Sequence, residues 1–149
     1  MTSTVTVDSR KLRDHLTLVP EPKSLLLIED DLSLVDFMDV VIDEMRPGLD
    51  WDYVTSGEAA LERIHWRGRS QRGNPYSLVI ADIFLEGEMT GFDVWLDAQQ
   101  FYPEMPFVMM SCLTFDRYFS IFRGVNKYPV YLPKPLTVSR CQSVLMDYV

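Results

Sequence analysis

Ser24-Leu25-Leu26-Leu27-Ile28-Glu29-Asp30 decides the architecture: five residues without a charge, then two carboxylates. Three further runs repeat the plan. Leu78-Val79-Ile80-Ala81 ends on Asp82, Phe107-Val108-Met109-Met110 on Ser111, and Val130-Tyr131-Leu132-Pro133 on Lys134. A short, almost continuous apolar run marks a strand buried on both faces, as in a parallel sheet held between two helix layers. Each run delivers a chemically active side chain at its carboxyl end. That is the edge at which open α/β sheets bind ligands.

Outward from these runs, helix signals fill the gaps. The pattern predicts strands at 24–28, 51–54, 77–81, 106–110 and 129–132. A helix over about 33–46 aligns Leu34, Met38, Val41 and Met45, and Pro47-Gly48 ends it. Ser56 caps a second helix, about 57–66, and Arg67 to Pro75 reads as a polar, solvated loop. Thr90 and Asp93 have the spacing of a capping box for a helix over 92–100. Helices over about 114–123 and 137–148 complete five βα units, the last with Val138, Cys141, Leu145 and Tyr148 on one stripe. Strands alternating with helices in this way predict an α/β fold with a parallel sheet covered on both faces.

Composition agrees with one domain. The chain has 149 residues, 47% hydrophobic and 24% charged, enough to bury a core without disulfides or a structural metal. The formal net charge of −8 argues against nucleic acid as a direct partner. Cys112 and Cys141 lie in apolar surroundings and read as buried thiols. No apolar run approaches the roughly 20 residues of a membrane helix, and the first twenty residues lack the apolar core of a signal peptide. A soluble, cytoplasmic protein is the expectation. Residues 1–23 form an N-terminal extension. Asp8 or Ser9 can cap a short helix there carrying Leu12, Leu16 and Val19, which is disordered, packs on the body or serves as the arm of a homodimer.

Glu29, Asp30 and Asp82 brought to one edge would repel one another. A hard divalent cation removes that repulsion. Mg²⁺ takes oxygen ligands and typically uses one or two carboxylates plus a phosphate. One carboxylate can then attack phosphorus and form an acyl phosphate, while Lys134 pairs with a phosphoryl oxygen. An acid, serine or lysine alone at such a position is more often a turn former or a cap. Their order, at one edge of four strands, carries the functional reading.

The segments Leu26-Leu27-Ile28-Glu29-Asp30-Asp31, Val79-Ile80-Ala81-Asp82, Met110-Ser111 and Tyr131-Leu132-Pro133-Lys134-Pro135 resemble the receiver domain of two-component response regulators. The resemblance spans residues 24–148 and implies a flavodoxin-like five-stranded sheet of order 2-1-3-4-5 with five helices. It implies Asp82 as phosphoacceptor and Glu29, Asp30, Asp82 and the backbone carbonyl of Phe84 as the Mg²⁺ site. Lys134 is then the catalytic lysine, Ser111 and Tyr131 the switch pair, and Lys134–Pro135 a cis peptide. Phe84 and Leu113 take the two positions that tune phosphate lifetime, and Asp31 is an additional acid.

The sequence departs from the family pattern in three places. The loop 83–91 lacks the usual proline and is one residue longer than usual. Asp30 and Asp82 lie 52 positions apart (82 − 30), more than is usual, with the excess assigned to the Arg67–Pro75 loop. The stretch after Ser111 carries Phe115, Tyr118, Phe119 and Phe122 in place of small residues. At least two of these aromatics are expected in the core and the remainder on a binding surface. The implied protein is a stand-alone receiver, not an enzyme with turnover on an external substrate. Its phosphodonor would be a histidine kinase or histidine phosphotransfer protein, and its downstream protein would dock on helix four, strand five and helix five. The competing reading is a degenerate receiver used as a constitutive interaction module. An aspartyl phosphatase is disfavoured because Phe84 stands where a second acid would be needed.

Overall fold

The computed structural model describes residues 22–149. The expected N-terminal helix with Leu12, Leu16 and Val19 lies outside the described residues. From Ser24 the chain alternates strand and helix: β1 (Ser24–Ile28), α1 (Leu32–Met45), β2 (Asp50–Val54), α2 (Gly57–Ser70), β3 (Leu78–Asp82), α3 (Gly91–Phe101), β4 (Phe107–Ser111), α4 (Phe115–Ile121), β5 (Val130–Pro133) and α5 (Val138–Leu145). The strands form one parallel sheet in the order β2-β1-β3-β4-β5. The apolar runs predicted the parallel sheet, and this flavodoxin-like order is the one the receiver resemblance implied.

Alternation along each strand divides the core into two layers. Leu26, Ile28, Val79, Ala81, Phe107 and Met109 face one side and meet Ala60 and Ile64 of α2, Val94, Trp95 and Ala98 of α3, and Tyr118 of α4. Leu25, Leu27, Leu78, Ile80, Val108, Met110 and Leu132 face the other and meet Val35, Met38, Val41 and Ile42 of α1 and Cys141 and Leu145 of α5. Full burial of a Leu, Ile or Val side chain contributes about 1.5–3 kcal/mol, so the three central strands hold much of the stability. The helices start where their caps stand. Asp31, Ser56, Thr90, Thr114 and Thr137 each accept a backbone N–H of the first turn, and Thr90 with Asp93 closes the capping box.

Three expectations are corrected. Arg67 and Arg69 are not in a solvated loop, because α2 continues to Ser70. The continuation is fixed by packing: Arg67 lies over the Tyr76 ring, and Gly68 lets the Tyr102 hydroxyl approach so closely that a Cβ there would stand 1.8 Å from it. Cys112 is exposed, whereas Cys141 is buried as read. β4 ends at Ser111, and the following residue points away from the core. Val138 belongs to the α5 stripe in sequence but is 41% exposed, whereas Cys141 and Leu145 are fully buried against the sheet.

β2 is an edge strand. Its two acids are held from the neighbouring helix, Asp52 by Arg63 and Asp50 by Arg67. No helix among the described residues is long and apolar enough to cross a membrane.

Candidate functional site

The carboxyl ends of β1, β3, β4 and β5 meet at one edge. β1 stops at Ile28, and Glu29 and Asp30 follow in the connection to α1. β3 ends on Asp82, which the parallel register sets beside Met110, so Ser111 sits one step beyond. Lys134 leaves β5 directly after Pro133, and its amide donates to the Ser111 carbonyl at 2.9 Å. The Lys134–Pro135 peptide is cis.

Lys134 joins the acids. Its Nζ donates to Asp82 Oδ2 at 2.8 Å and to Glu29 Oε2 at 3.0 Å. Glu29 is fully buried and Asp82 nearly so. The other Glu29 oxygen accepts the Asp31 amide at 3.0 Å, which fixes the carboxylate plane. Asp30 is half-buried, and its Oδ2 accepts the Glu86 amide at 2.8 Å. One carboxylate oxygen from each of Glu29, Asp30 and Asp82 falls within 4.8 Å of the others.

The electrostatics follow from burial. Loss of water pushes the Glu29 carboxyl above its ordinary range; the Asp31 amide and Lys134 oppose this, and the Asp82 charge adds to it. Burial alone would lower the Lys134 ammonium. The hydrogen bonds and charges of Asp82 and Glu29 outweigh it, and its pKa is raised. Three carboxylates against one ammonium leave two negative charges uncompensated. An all-oxygen donor set with that residual charge fits a hard divalent cation.

Asp31 stands apart. It caps α1 through the Ser33 amide and hydroxyl, which hold its carboxyl below its ordinary range. The loop 83–91 folds back over the site. The Phe84 amide donates to Asp82 Oδ1 at 3.2 Å, while the Phe84 side chain is 57% exposed. The Gly91 amide donates to the Ile83 carbonyl at 2.9 Å, and a Cβ on Gly91 would stand 2.1 Å from the Asp82 carbonyl oxygen. Glycine is therefore a steric requirement there.

Ser111 is fully buried and makes no hydrogen bond to Asp82; its Oγ accepts the Leu113 amide at 3.0 Å. The Leu113 carbonyl in turn accepts the Tyr131 hydroxyl. Ser111, Leu113 and Tyr131 thus form one chain of contacts from the acid edge to α4. Beside it, Tyr118 packs on Tyr131 at 4.6 Å between centroids and donates to the Pro129 carbonyl at 2.5 Å. The Glu86 amide and the Leu113 bridge had no signal in the sequence, because backbone groups carry none. The aromatic set of α4 divides evenly: Tyr118 and Phe122 are buried, Phe115 and Phe119 exposed.

No family model matches the chain, and no curated protein matches it. Solved structures do match its fold. A CheY-like response regulator receiver domain from Methanospirillum hungatei is 19% identical, with a TM-score of 0.65 over 85% of this chain and 93% of that one. The bacteriophytochrome response regulator AtBRR is 19% identical, with a TM-score of 0.68 over 87% and 94%. The phosphorylated cyanobacterial phytochrome response regulator RcpA is 18% identical, with a TM-score of 0.64 over 85% and 90%. The chain therefore has the fold of response regulator receiver domains.

Proposed function

We propose that the chain is a phosphoacceptor of two-component signalling, taking a phosphoryl group on Asp82 from a phosphohistidine donor in a kinase or phosphotransfer protein. One observation carries the reading. Lys134, from the far end of the chain, bridges Asp82 and Glu29 at 2.8 and 3.0 Å in the same group of acids that holds Asp30. A structural lysine needs one partner, whereas a charge cluster with excess negative charge at a ligand-binding edge is suited to a cation and a phosphate.

Glu29, Asp30, Asp82 and the Phe84 carbonyl would hold Mg²⁺, which supplies charge neutralisation for the transferring phosphoryl oxygens. Asp82 attacks phosphorus in line; an O–P bond forms, the donor's N–P bond breaks, and the released imidazole nitrogen takes a proton from solvent. Lys134 balances a phosphoryl oxygen. Ser111 is poised as a donor, because its Oγ accepts from Leu113 and leaves its own proton free to give. A Ser111 drawn toward the phosphoryl group releases the Leu113 bridge, and Tyr131 turns with it. The response would be read by a downstream protein on the α4–β5–α5 face, where Phe115, Phe119, Val130 and Val138 are exposed. Catalysis is confined to the chain's own phosphorylation and dephosphorylation.

Incubation with acetyl phosphate and Mg²⁺, followed by intact-mass spectrometry, tests the reading. One phosphoryl adduct is expected, absent in Asp82→Asn and absent with chelator. An unmodified chain, or an adduct that survives in Asp82→Asn, rejects it.

A further inference from the structure

We infer that the chain carries a second ligand site, at the sheet edge opposite the acids, for a small multivalent oxyanion of the phosphate type. A cavity of about 630 Å³ opens there, lined by Lys23, Arg67, Arg72, Asn74 and Tyr76, with Glu104 on its rim. That volume suits a small-molecule site. In a protein of net charge −8, Lys23, Arg67 and Arg72 bring three cations to one cavity. Glu104 does little to cancel them, since its carboxylate faces Lys127 at 3.6 Å. Among the described residues, neither Lys23 nor Arg72 has a carboxylate within salt-bridge distance.

Arg67 is the fixed member. Its guanidinium lies 4.5 Å from the Tyr76 ring centroid, its Nη2 donates to Asp50 at 3.1 Å, and its side chain is only 20% exposed. Stacking on Tyr76 holds the fork in place, so binding an oxyanion sacrifices little rotamer freedom.

The cavity is distinct from the acid cluster. Ser24 and Ser77 line it and tie the starts of their strands together, Ser24 N to Ser77 Oγ at 3.0 Å and Ser77 N to Ser24 O at 2.8 Å. The same strands end at Glu29 and Asp82. Five residues of strand separate the two sites by about 15 Å.

Calorimetric titration of the full chain with inorganic pyrophosphate tests this, with chelator present so that the acids cannot recruit phosphate through a metal. ADP in a parallel arm separates a bare polyphosphate site from a nucleotide site. Saturable binding of one ligand per chain is expected with at least one probe. Lys23→Gln with Arg72→Gln should weaken it about tenfold or more, and Asp82→Asn should retain it. Both glutamine changes are on exposed side chains, and an unchanged thermal midpoint confirms that the double variant folds. No saturable heat with either probe overturns the site, as does binding undiminished in the double variant or lost in Asp82→Asn.

Discussion

Among the described residues, Lys134 is the only cation bonded to the buried acids, so its removal has opposite effects on two observables. Lys134→Ala should slow phosphorylation by acetyl phosphate about 10²-fold, as for loss of a positioned donor to developing charge. It should also tighten Mg²⁺ binding, because the ammonium no longer competes for Asp82 and Glu29. Unchanged or weaker Mg²⁺ affinity in that variant would show that the lysine does not face the metal's ligands. A second prediction belongs to Phe84 and Leu113. Neither side chain can orient a water against phosphorus, so the phosphoryl group on Asp82 should persist well beyond seconds with Mg²⁺ present. Radiolabel decay within seconds contradicts this. At this scale the sequence was informative wherever chemistry resides in side chains, since Glu29, Asp30, Asp82 and Lys134 all end apolar runs. It was silent on the Glu86 and Leu113 amides, which orient Asp30 and Ser111. Cys112 was misread because an apolar neighbourhood in sequence says nothing about which way a residue turns beyond a strand end.

α4 has seven residues, too few to be stable as an isolated helix, so tertiary contacts must hold it. Tyr118 and Phe122 provide them, their rings tilted against each other at 4.9 Å and Phe122 edge-on to Trp95 at 5.4 Å. Tyr118→Ala should therefore cost about 3–5 kcal/mol in urea unfolding, as for other large-to-small core changes. Phe119→Ala, on the exposed side, should stay within about 0.5 kcal/mol. Equal losses would mean that α4 is not anchored as described. The strands were legible because burial on both faces leaves an unmistakable apolar run. The end of α2 was not. Its last turn holds Arg67, Gly68, Arg69 and Ser70, with no apolar periodicity, and is secured by a cation over Tyr76 and a close approach by Tyr102. Such long-range packing overrides local propensity.

The whole molecule should weaken in alkali. Burial raises the Tyr76 and Tyr118 hydroxyls above their ordinary 10.0, and Lys134 is raised above 10.5 by its carboxylates despite its burial. Each group keeps its proton more firmly when folded. Each therefore contributes stability in full below its unfolded pKa and loses it as pH climbs through the folded value. The urea midpoint should fall from about pH 10 upward, less steeply in Tyr118→Phe. A midpoint flat to pH 11 would contradict these shifts. The outermost strand has a different dependence. A parallel sheet left open at β2 offers unpaired backbone to any passing strand. Here the two guanidinium groups of α2 hold the acids of that strand from the side. Exposed pairs of this kind add little to folding free energy, but they keep the rim charged and cluttered. Their grip loosens as ions screen it. Concentrated salt should therefore loosen these two pairs and leave β2 a barer rim, while the fold stays intact.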